Sequence, residues 1–475
     1  MKAQYNQVGK YIITAKCETP LHIGSAVGDK SEVLTHPVEN VPFIQATSLA
    51  GVFRDYYQCT YEESHPEKIF GGSQKNQQED QQKEQQEELT GSKIRFSDGA
   101  FLKPKELVME LRPRVKINSQ TGTVAAEKVE GTDQQSGQKF EIEYVAAGAK
   151  FQFTVYLYDN GEEDRNFKMC LANIWQSNIQ FGGQKSNGCG YISIEKVLYK
   201  KFDLTKEEDR NKWFQEDCLE YKDILEDNEY KDILKGDEYK AIQAKISKNF
   251  SYDIKITAKT DGELLVKGIA VTDLSDNAPD AMNIQNGAGE YIIPASSLKG
   301  AIRNRMEMIA AYKGIEKKII DSIFGKAPNL RKDEEGTKGI ISFHDTVIGK
   351  QEDNDNAANR IRIQIDKFTG GVKNSALFNE RYASGDLTMN IRINQNKEYA
   401  DAACGLLVLA LRDMANGQVT VGSGYSIGKG FIDIKEIQIT DKDHKICTIS
   451  FANKKIEGED ILNTCFNALK EEIKK

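Results

Sequence analysis

The sequence predicts an α+β fold on antiparallel sheets, arranged as two tandem copies of one unit. Three observations predict it. Strand-like runs alternating apolar and polar residues dominate both halves: YIITAKCET, KFQFTVYLYD and YISIEKVLY in the first, SYDIKITAKT, LTMNIRI and FIDIKEIQI in the second. Helical stretches, after TSLAG and SSLKG and at about Ala400 to Met414, fall among them without a βαβ rhythm. A set of short motifs also occurs twice in the same order, and at 475 residues the chain exceeds what one core usually serves.

In chain order, the repeated elements begin with a joint in which an apolar run enters a helix through small hydroxyl residues: FIQATSLAGVFR (Phe43 to Arg54) and IIPASSLKGAIR (Ile292 to Arg303). Ile69-Phe70-Gly71 then returns as Ile323-Phe324-Gly325. The strand-like KIRFSDG, with its aspartate at Asp98, returns as GIISFHD, ending at Asp345. Ile117-Asn118 and Thr121-Gly122 match Ile365-Asp366 and Thr369-Gly370, and Gly188-Cys189-Gly190 matches Gly428-Lys429-Gly430. Such ordered recurrence indicates a tandem duplication. It divides the chain into a first domain at 1–201, an acidic linker at 202–250 and a second domain at 251–475. The linker carries the near-repeat EYKDIL and suits short amphipathic helices. A Gln/Glu-rich insertion at about 74–89 has no core to join and is expected to be a disordered loop.

The joint carries the first candidate chemistry. Pro294 discourages helix before it, and Ser296 or Ser297 is placed to cap the helix that follows. A helix start attracts anions through its free N–H groups and its dipole, and Lys299 and Arg303, four apart, share one face beside it. The first copy offers Thr47, Ser48 and Arg54 at this place but has Gln45 for Pro294 and Ala50 for Lys299. Near the end of the second copy, Gly422 to Gly430 (GSGYSIGKG) feeds a strand, unlike a dinucleotide-binding fingerprint. It also lacks the Ser or Thr that a Walker A loop needs after its lysine. Its glycines, with Ser426 and Lys429, suit close approach of a phosphodiester backbone. The first copy has Cys189 where the second has Lys429.

Composition narrows the setting. The net charge of −8 argues against a basic coat over the whole surface but leaves room for a local basic groove. The eight cysteines form no CxxC pair and the five histidines are dispersed, so reduced packing thiols are expected and a zinc site is not. No apolar run is long enough to span a bilayer, and no secretory signal is evident; a soluble cytoplasmic protein without a membrane partner is expected.

Together, the LHIG near the start of the first unit, the joint, the IFG, the strand ending in Asp, the IDxxTG segment and the terminal glycine run resemble the RAMP proteins of CRISPR systems. The closer similarity is to the backbone subunits of type III effector complexes, fused as two domains in one chain. The resemblance implies two tandem ferredoxin-like (RRM-related) domains with thumb hairpin insertions. It implies binding of guide RNA (crRNA) through its backbone, pairing with target RNA, and neighbours that include a large polymerase-like subunit. It places Lys373, Asn374, Phe378 and Arg381 on a thumb at 368–385. It also places a catalytic aspartate for target cleavage at Asp280, with Mg²⁺ or another divalent cation as the expected cofactor; the corresponding position of the first unit is Lys30, with Asp29 one residue earlier, so either the loop shifts by one and Asp29 serves or the first site is silent. A catalytically silent RNA-binding scaffold is the alternative reading. A single carboxylate suffices for such chemistry because RNA brings its own 2′-hydroxyl nucleophile. His22 and His36 raise a further possibility, since relatives that process guide precursors use histidine. Neither has an evident partner in the sequence, and a packing or surface place is expected for both.

Overall fold

The computed structural model describes residues 5–24, 31–60, 66–74, 88–115, 117, 124, 126–128, 135–137, 139–159, 167–168, 170–171, 174, 179–216, 229–237, 240, 250–268, 279–326, 336–349, 357–394 and 398–474. By contact the chain forms two compact units. The first comprises Met1–Val108, Val145–Gly183 and Cys189–Ser247; the second comprises Met109–Tyr144, Gln184–Gly188 and Lys248–Lys475. Two pieces that lie before residue 201 in the sequence, 109–144 and 184–188, therefore pack with the second unit.

In the first unit, β1 (Gln7–Cys17) is followed by β2 (Phe43–Ile44), α1 (Ala46–Thr60), α2 (Pro66–Phe70), β3 (Ile94–Phe96) and β4 (Gly99–Phe101). β1 runs antiparallel to β7 (Lys150–Asp159) on one side and β8 (Ile192–Asp203) on the other. β3 and β4 pair with β7, and β2 pairs with β4. One face of β1, carrying Tyr11, Ile13 and Ala15, buries against Phe53 of α1 and against Phe153 and Phe181. The ends of the Gln/Glu-rich insertion, Gly72–Gln74 and Glu88–Thr90, pair with each other; the rest of it lies outside the described residues.

Within 202–250 the described residues are 202–216, 229–237, 240 and 250; the rest of the segment expected to be helical lies outside them. Among the described residues it contains a helix of nine residues, α3 (Glu207–Gln215), and a two-residue strand, β9 (Lys231–Asp232), that adds to β8. Cross-strand register aligns Tyr156, Lys10 and Lys200 in one row on the outer face of the sheet. The Glu216 carboxylate sits over that row, accepting from Lys10 Nζ (2.9 Å), Lys200 Nζ (3.0 Å) and Tyr230 Oη (2.8 Å). All four of these residues are buried, and Trp213 packs edge-on to Tyr156 and Phe202. A buried charge is tolerated only when paired; Glu216 pairs with both lysines, and Lys200 is paired a second time by Glu229 at 3.1 Å.

The second unit repeats the plan: β10 (Phe250–Asp261), β11 (Ala281–Met282), β12 (Ile292–Ile293), α4 (Ala295–Lys313), α5 (Lys317–Phe324), β13 (Ile341–Phe343) and β14 (Thr346–Val347). There follow β15 (Ala357–Ile365), β16 (Val372–Ala383), β17 (Asp386–Asn394), α6 (Ala400–Ala415), β18 (Phe431–Asp441), β19 (Ile446–Ser450), β20 (Lys455–Glu457) and α7 (Glu459–Lys474). Its sheet order is β13-β17-β10-β18-β19-β20, so the central strands β18-β10-β17-β13 match β8-β1-β7-β3 of the first unit. This is the antiparallel ferredoxin-like order, present twice. Both first strands even break register at the same step, between Thr14 and Ala15 and between Thr257 and Ala258. α4 buries Leu298, Ile302, Met306 and Ala310, spaced four apart on one face. Each of the three larger side chains contributes about 1.5–3 kcal/mol on burial. α6 is buried on nearly all sides between the sheet and α7. No helix among the described residues is long and apolar enough to cross a membrane.

Two longer antiparallel pairs in the second unit lie outside its main sheet. One pairs β15 with β16. The other pairs β5 (Met109–Val115) with β6 (Lys139–Val145), the hairpin from the first copy. The IDxxTG motif is the turn of the β15–β16 hairpin: the Asp366 carboxylate accepts from the amides of Phe368 and Thr369, and Gly370 N–H donates to the Asp366 carbonyl.

Candidate functional site

The joint is capped differently from the sequence expectation. Pro294 is the N-cap residue of α4 and offers no side-chain bond, and Ser296 and Ser297 lie inside the first turn. The Asp345 carboxylate, at the end of β13, accepts from Ala295 N–H at 2.8 Å. In the first unit Asp98 does the same for Ala46 N–H at 2.7 Å. Serine caps are displaced because the strand carrying the aspartate runs beside the helix start, where a carboxylate meets both a free amide and the positive end of the dipole. Asp345 also accepts from Arg112 of β5 at 2.6 Å. Arg112 in turn grips Glu110, whose other oxygen takes Gly287 N–H.

Around this capped start the predicted residues fall into three groups. On the first turns of α4, Ser296, Ser297, Lys299 and Arg303 are half-buried, and Arg303 is tied to Glu307 at 2.8 Å and lies over the Phe324 ring. Burial, reinforced by the Arg303 and Arg114 charges, pushes the Lys299 ammonium down to about 8; its Nζ donates to Ser186 Oγ at 2.8 Å. In the first unit Thr47 and Arg54 are exposed and Ser48 half-buried on α1.

The second group lies at the base of the β15–β16 hairpin. Asp280 is exposed, immediately before β11, and is held twice by Asn379: its N–H donates to the Asn379 carbonyl and its Oδ2 accepts Asn379 N–H, both at 2.7 Å. β11 continues from Asp280 parallel to β16, with Met282 opposite Arg381. Asn283, fully buried, accepts from Val266 N–H and donates to the carbonyls of Ile284 and Ile292, which pins the loop to the joint strand. Arg381 Nε donates to Tyr291 Oη at 2.8 Å, a second tie between hairpin and joint. Further out, Lys373 and Phe378 are exposed, and Asn374 lies on β16 with its side chain outside what is described. Ile361, Ile363, Ile365, Phe368, Val372 and Leu377 are also exposed, an apolar surface of the kind that marks an interaction site. Asp29 lies outside the described residues.

The third group is the glycine run. Ser426 is exposed, but Lys429 is paired with Glu263 and lies over the Tyr382 ring, so its charge is largely engaged. A Cβ at Gly422 (φ +84°) would stand 2.5 Å from the Leu265 carbonyl oxygen, so that glycine serves close packing onto the loop after β10. Among the described residues no cluster of three or more His, Cys, Asp or Glu is arranged to hold a metal ion. His22 is buried, and His36 Nδ1 accepts turn amides from Val38 and Glu39.

Sequence reasoning missed the capping role of Asp98 and Asp345, though their recurrence flagged them. It also missed Arg112, Arg114 and Ser186, whose partners are remote in sequence. A family model described as the RAMP superfamily matches residues 14–193 and 246–433, most of the chain and both copies of the unit. The chain belongs to the RAMP superfamily. The two matched stretches correspond to the two ferredoxin-like sheets, each with its joint, so this RAMP protein is a tandem one. Among solved structures it is similar to a chain of the Type III-B Cmr-beta, seen by cryo-EM bound to cognate target RNA. The identity is 15%, the TM-score 0.30, and the match covers 41% of this RAMP protein and 61% of that chain. No curated protein matches it.

Proposed function

We propose that this RAMP protein is a two-domain backbone subunit of a type III CRISPR ribonucleoprotein, holding the guide RNA by its backbone and cleaving the paired target RNA at Asp280. The observation that carries the reading is Asp280 itself. It is an exposed carboxylate held to the base of an apolar hairpin by a reciprocal pair of hydrogen bonds, at the place where the family resemblance puts the cleaving residue. Guide RNA, target RNA and other effector subunits, including a large polymerase-like one, are the partners in this reading, and the cytoplasm is its setting.

In the reaction proposed, the target's 2′-oxygen attacks the adjacent phosphorus, the O2′–P bond forms, and the bond to the 5′-oxygen of the next nucleotide breaks. Asp280 is placed to take the 2′-hydroxyl proton, because its Oδ2 is fixed by Asn379 while the residue stays open to solvent. Mg²⁺ is commonly held by one or two carboxylates together with substrate phosphate oxygens, and Asp280 would be the one carboxylate this reading offers it, since no metal-holding cluster occurs among the described residues. When bound, the ion would supply charge neutralisation at the phosphate. Guide-precursor cleavage by His22 or His36 is not favoured, since one is buried and the other serves a turn.

The test is Asp280→Ala in the assembled complex. Target cleavage contributed by this subunit should fall at least 100-fold, about the effect of losing a general base, with guide binding unchanged. Full cleavage at every position would assign the chemistry elsewhere.

A further inference from the structure

Three cysteines of the second unit are buried close together where its last helix packs: Cys404 on α6, Cys447 on β19 and Cys465 on α7. Gly405 sets the spacing of the two helices, since a Cβ there would stand 2.9 Å from the Cys465 carbonyl oxygen. At this close approach the Cys404 and Cys465 thiols are hydrogen-bonded to each other, and Cys465 is bonded in turn to the Tyr252 hydroxyl of β10. Tyr252 has a single proton and donates it to Asp401 Oδ1 at 2.7 Å, so its oxygen is left to accept from Cys465, whose sulfur accepts from Cys404. The bonds form a directed chain, from Cys404 through Cys465 and Tyr252 to Asp401, that starts in the core and ends at a half-buried carboxylate. The bond from Cys404 outweighs burial and draws Cys465 below the usual thiol range, while Cys404 is pushed up, so Cys465 is the sulfur that ionises first. In the first unit the effect is the reverse: burial, then the Glu18 charge, pushes Cys17 up to about 12, and burial pushes Cys170 up as well.

We propose that Cys404 and Cys465 are a dithiol–disulfide site, oxidised by hydrogen peroxide, with Tyr252 and Asp401 as its proton exit. The site is independent of the RNA reading above. In the first step the Cys465 sulfur attacks one peroxide oxygen, the S–O bond forms and the O–O bond breaks, leaving a sulfenic acid. The thiol proton passes through Tyr252 to Asp401 and on to solvent, while the departing hydroxide takes up a proton and leaves as water. In the second step the Cys404 sulfur attacks Cys465, the S–S bond forms, the S–O bond breaks, and the Cys404 proton leaves with that oxygen as a second water. The two sulfurs together lose two electrons and the peroxide gains them. α7 packs on α6 and β19, and peroxide, close to water in size, reaches the sulfurs when this helix opens locally. The disulfide then closes a loop of about 60 residues and ties α7 to α6.

The test treats the reduced full chain with graded hydrogen peroxide, blocks the remaining thiols with an alkylating reagent under denaturing conditions, and reads each cysteine by peptide mass. A peptide linked through Cys404 and Cys465 should appear at peroxide levels that leave Cys17 and Cys170 as thiols. The linked protein should melt about 5 °C higher than the reduced one, and reduction should reverse the shift. Cys404→Ser should leave Cys465 as a sulfenic acid that a dimedone probe captures, whereas Cys447→Ser should still form the link. Tyr252→Phe keeps the ring but cuts the chain of bonds, and should slow formation of the link about tenfold. The wild-type peptide map does not depend on how any variant folds. A link between Cys447 and Cys465, or oxidation of all the buried cysteines together, overturns the site. A Tyr252→Phe protein that forms the link at the wild-type rate overturns the proton exit.

Discussion

The sharpest test of how the duplicated unit is built is to remove its two capping aspartates one at a time. Asp98 is exposed and caps Ala46 N–H; Asp345 caps Ala295 N–H and also binds Arg112, a residue only 5% exposed. Losing a cap costs about 1 kcal/mol, and losing a hydrogen bond to a charged group costs about 1.5–3 kcal/mol. Asp98→Ala should therefore destabilise the first unit by about 1 kcal/mol, and Asp345→Ala the second by about 3 kcal/mol. Asp345→Asn separates the two contributions, since its Oδ1 can still accept from Ala295 while the charge facing Arg112 is gone; it should fall between the other two. Urea unfolding would register the Asp345→Ala loss as a midpoint lower by about 1 M for an m-value of about 3 kcal/mol/M. Native-state hydrogen exchange at the first amides of α1 and α4 assigns each loss to its unit. Equal losses for Asp98→Ala and Asp345→Ala would refute the reasoning, because the Arg112 contact would then carry no energy.

Two further predictions concern buried charge. Glu216→Gln should destabilise the first unit by about 3 kcal/mol, since it leaves the buried Lys10 facing a neutral amide while Lys200 keeps its second partner, Glu229. Burial alone would raise the Glu216 carboxyl, but hydrogen bonds from Lys10, Tyr230 and Lys200 outweigh it and hold it below the usual carboxylate range. A depressed carboxylate stabilises above its unfolded pKa, so this contribution should be lost in acid below about pH 4, and thermal melts of wild type and variant should converge there. His344 is the opposite case: burial, then the Arg392 charge, pushes its imidazole down to about 4, with Asp345 partly offsetting. The unfolded chain takes up that proton near pH 6.5 and the folded chain does not, so stability should fall between about pH 6.5 and 4, by up to roughly 3 kcal/mol. His344→Gln should flatten that slope, and an unchanged slope would show that this imidazole titrates normally in the folded protein.

The antiparallel sheets and the duplication were legible because both are written locally. Period-two strands and a motif set in fixed order survive in the linear sequence, down to the IDxxTG turn, whose bonds span only a few residues. The partners of those motifs were not legible. The serines after Pro294 look like caps, yet the cap comes from Asp345, and a pattern within one segment cannot say which remote strand will run beside a helix start. The same limit applies to Arg112, whose partner Asp345 is 233 residues away, and to Glu216, which reads as one more acid in a charged linker but is nearly inaccessible over a row of lysines.

For the candidate site, legibility followed whether a residue's role is local or assembled. Asp280 was singled out only through the family resemblance; the structure shows its hydrogen bonds to Asn379 just before β11 pairs with β16, a contact between segments about a hundred residues apart. Lys299 was placed by helix periodicity, but what makes it unusual is assembled from pieces far apart in the chain. Without the first copy's hairpin and loop it would be one more cation on the first turns of a helix. With Ser186 bound to it and Arg114 beside it, Lys299 becomes a half-buried ammonium whose charged neighbours repel it.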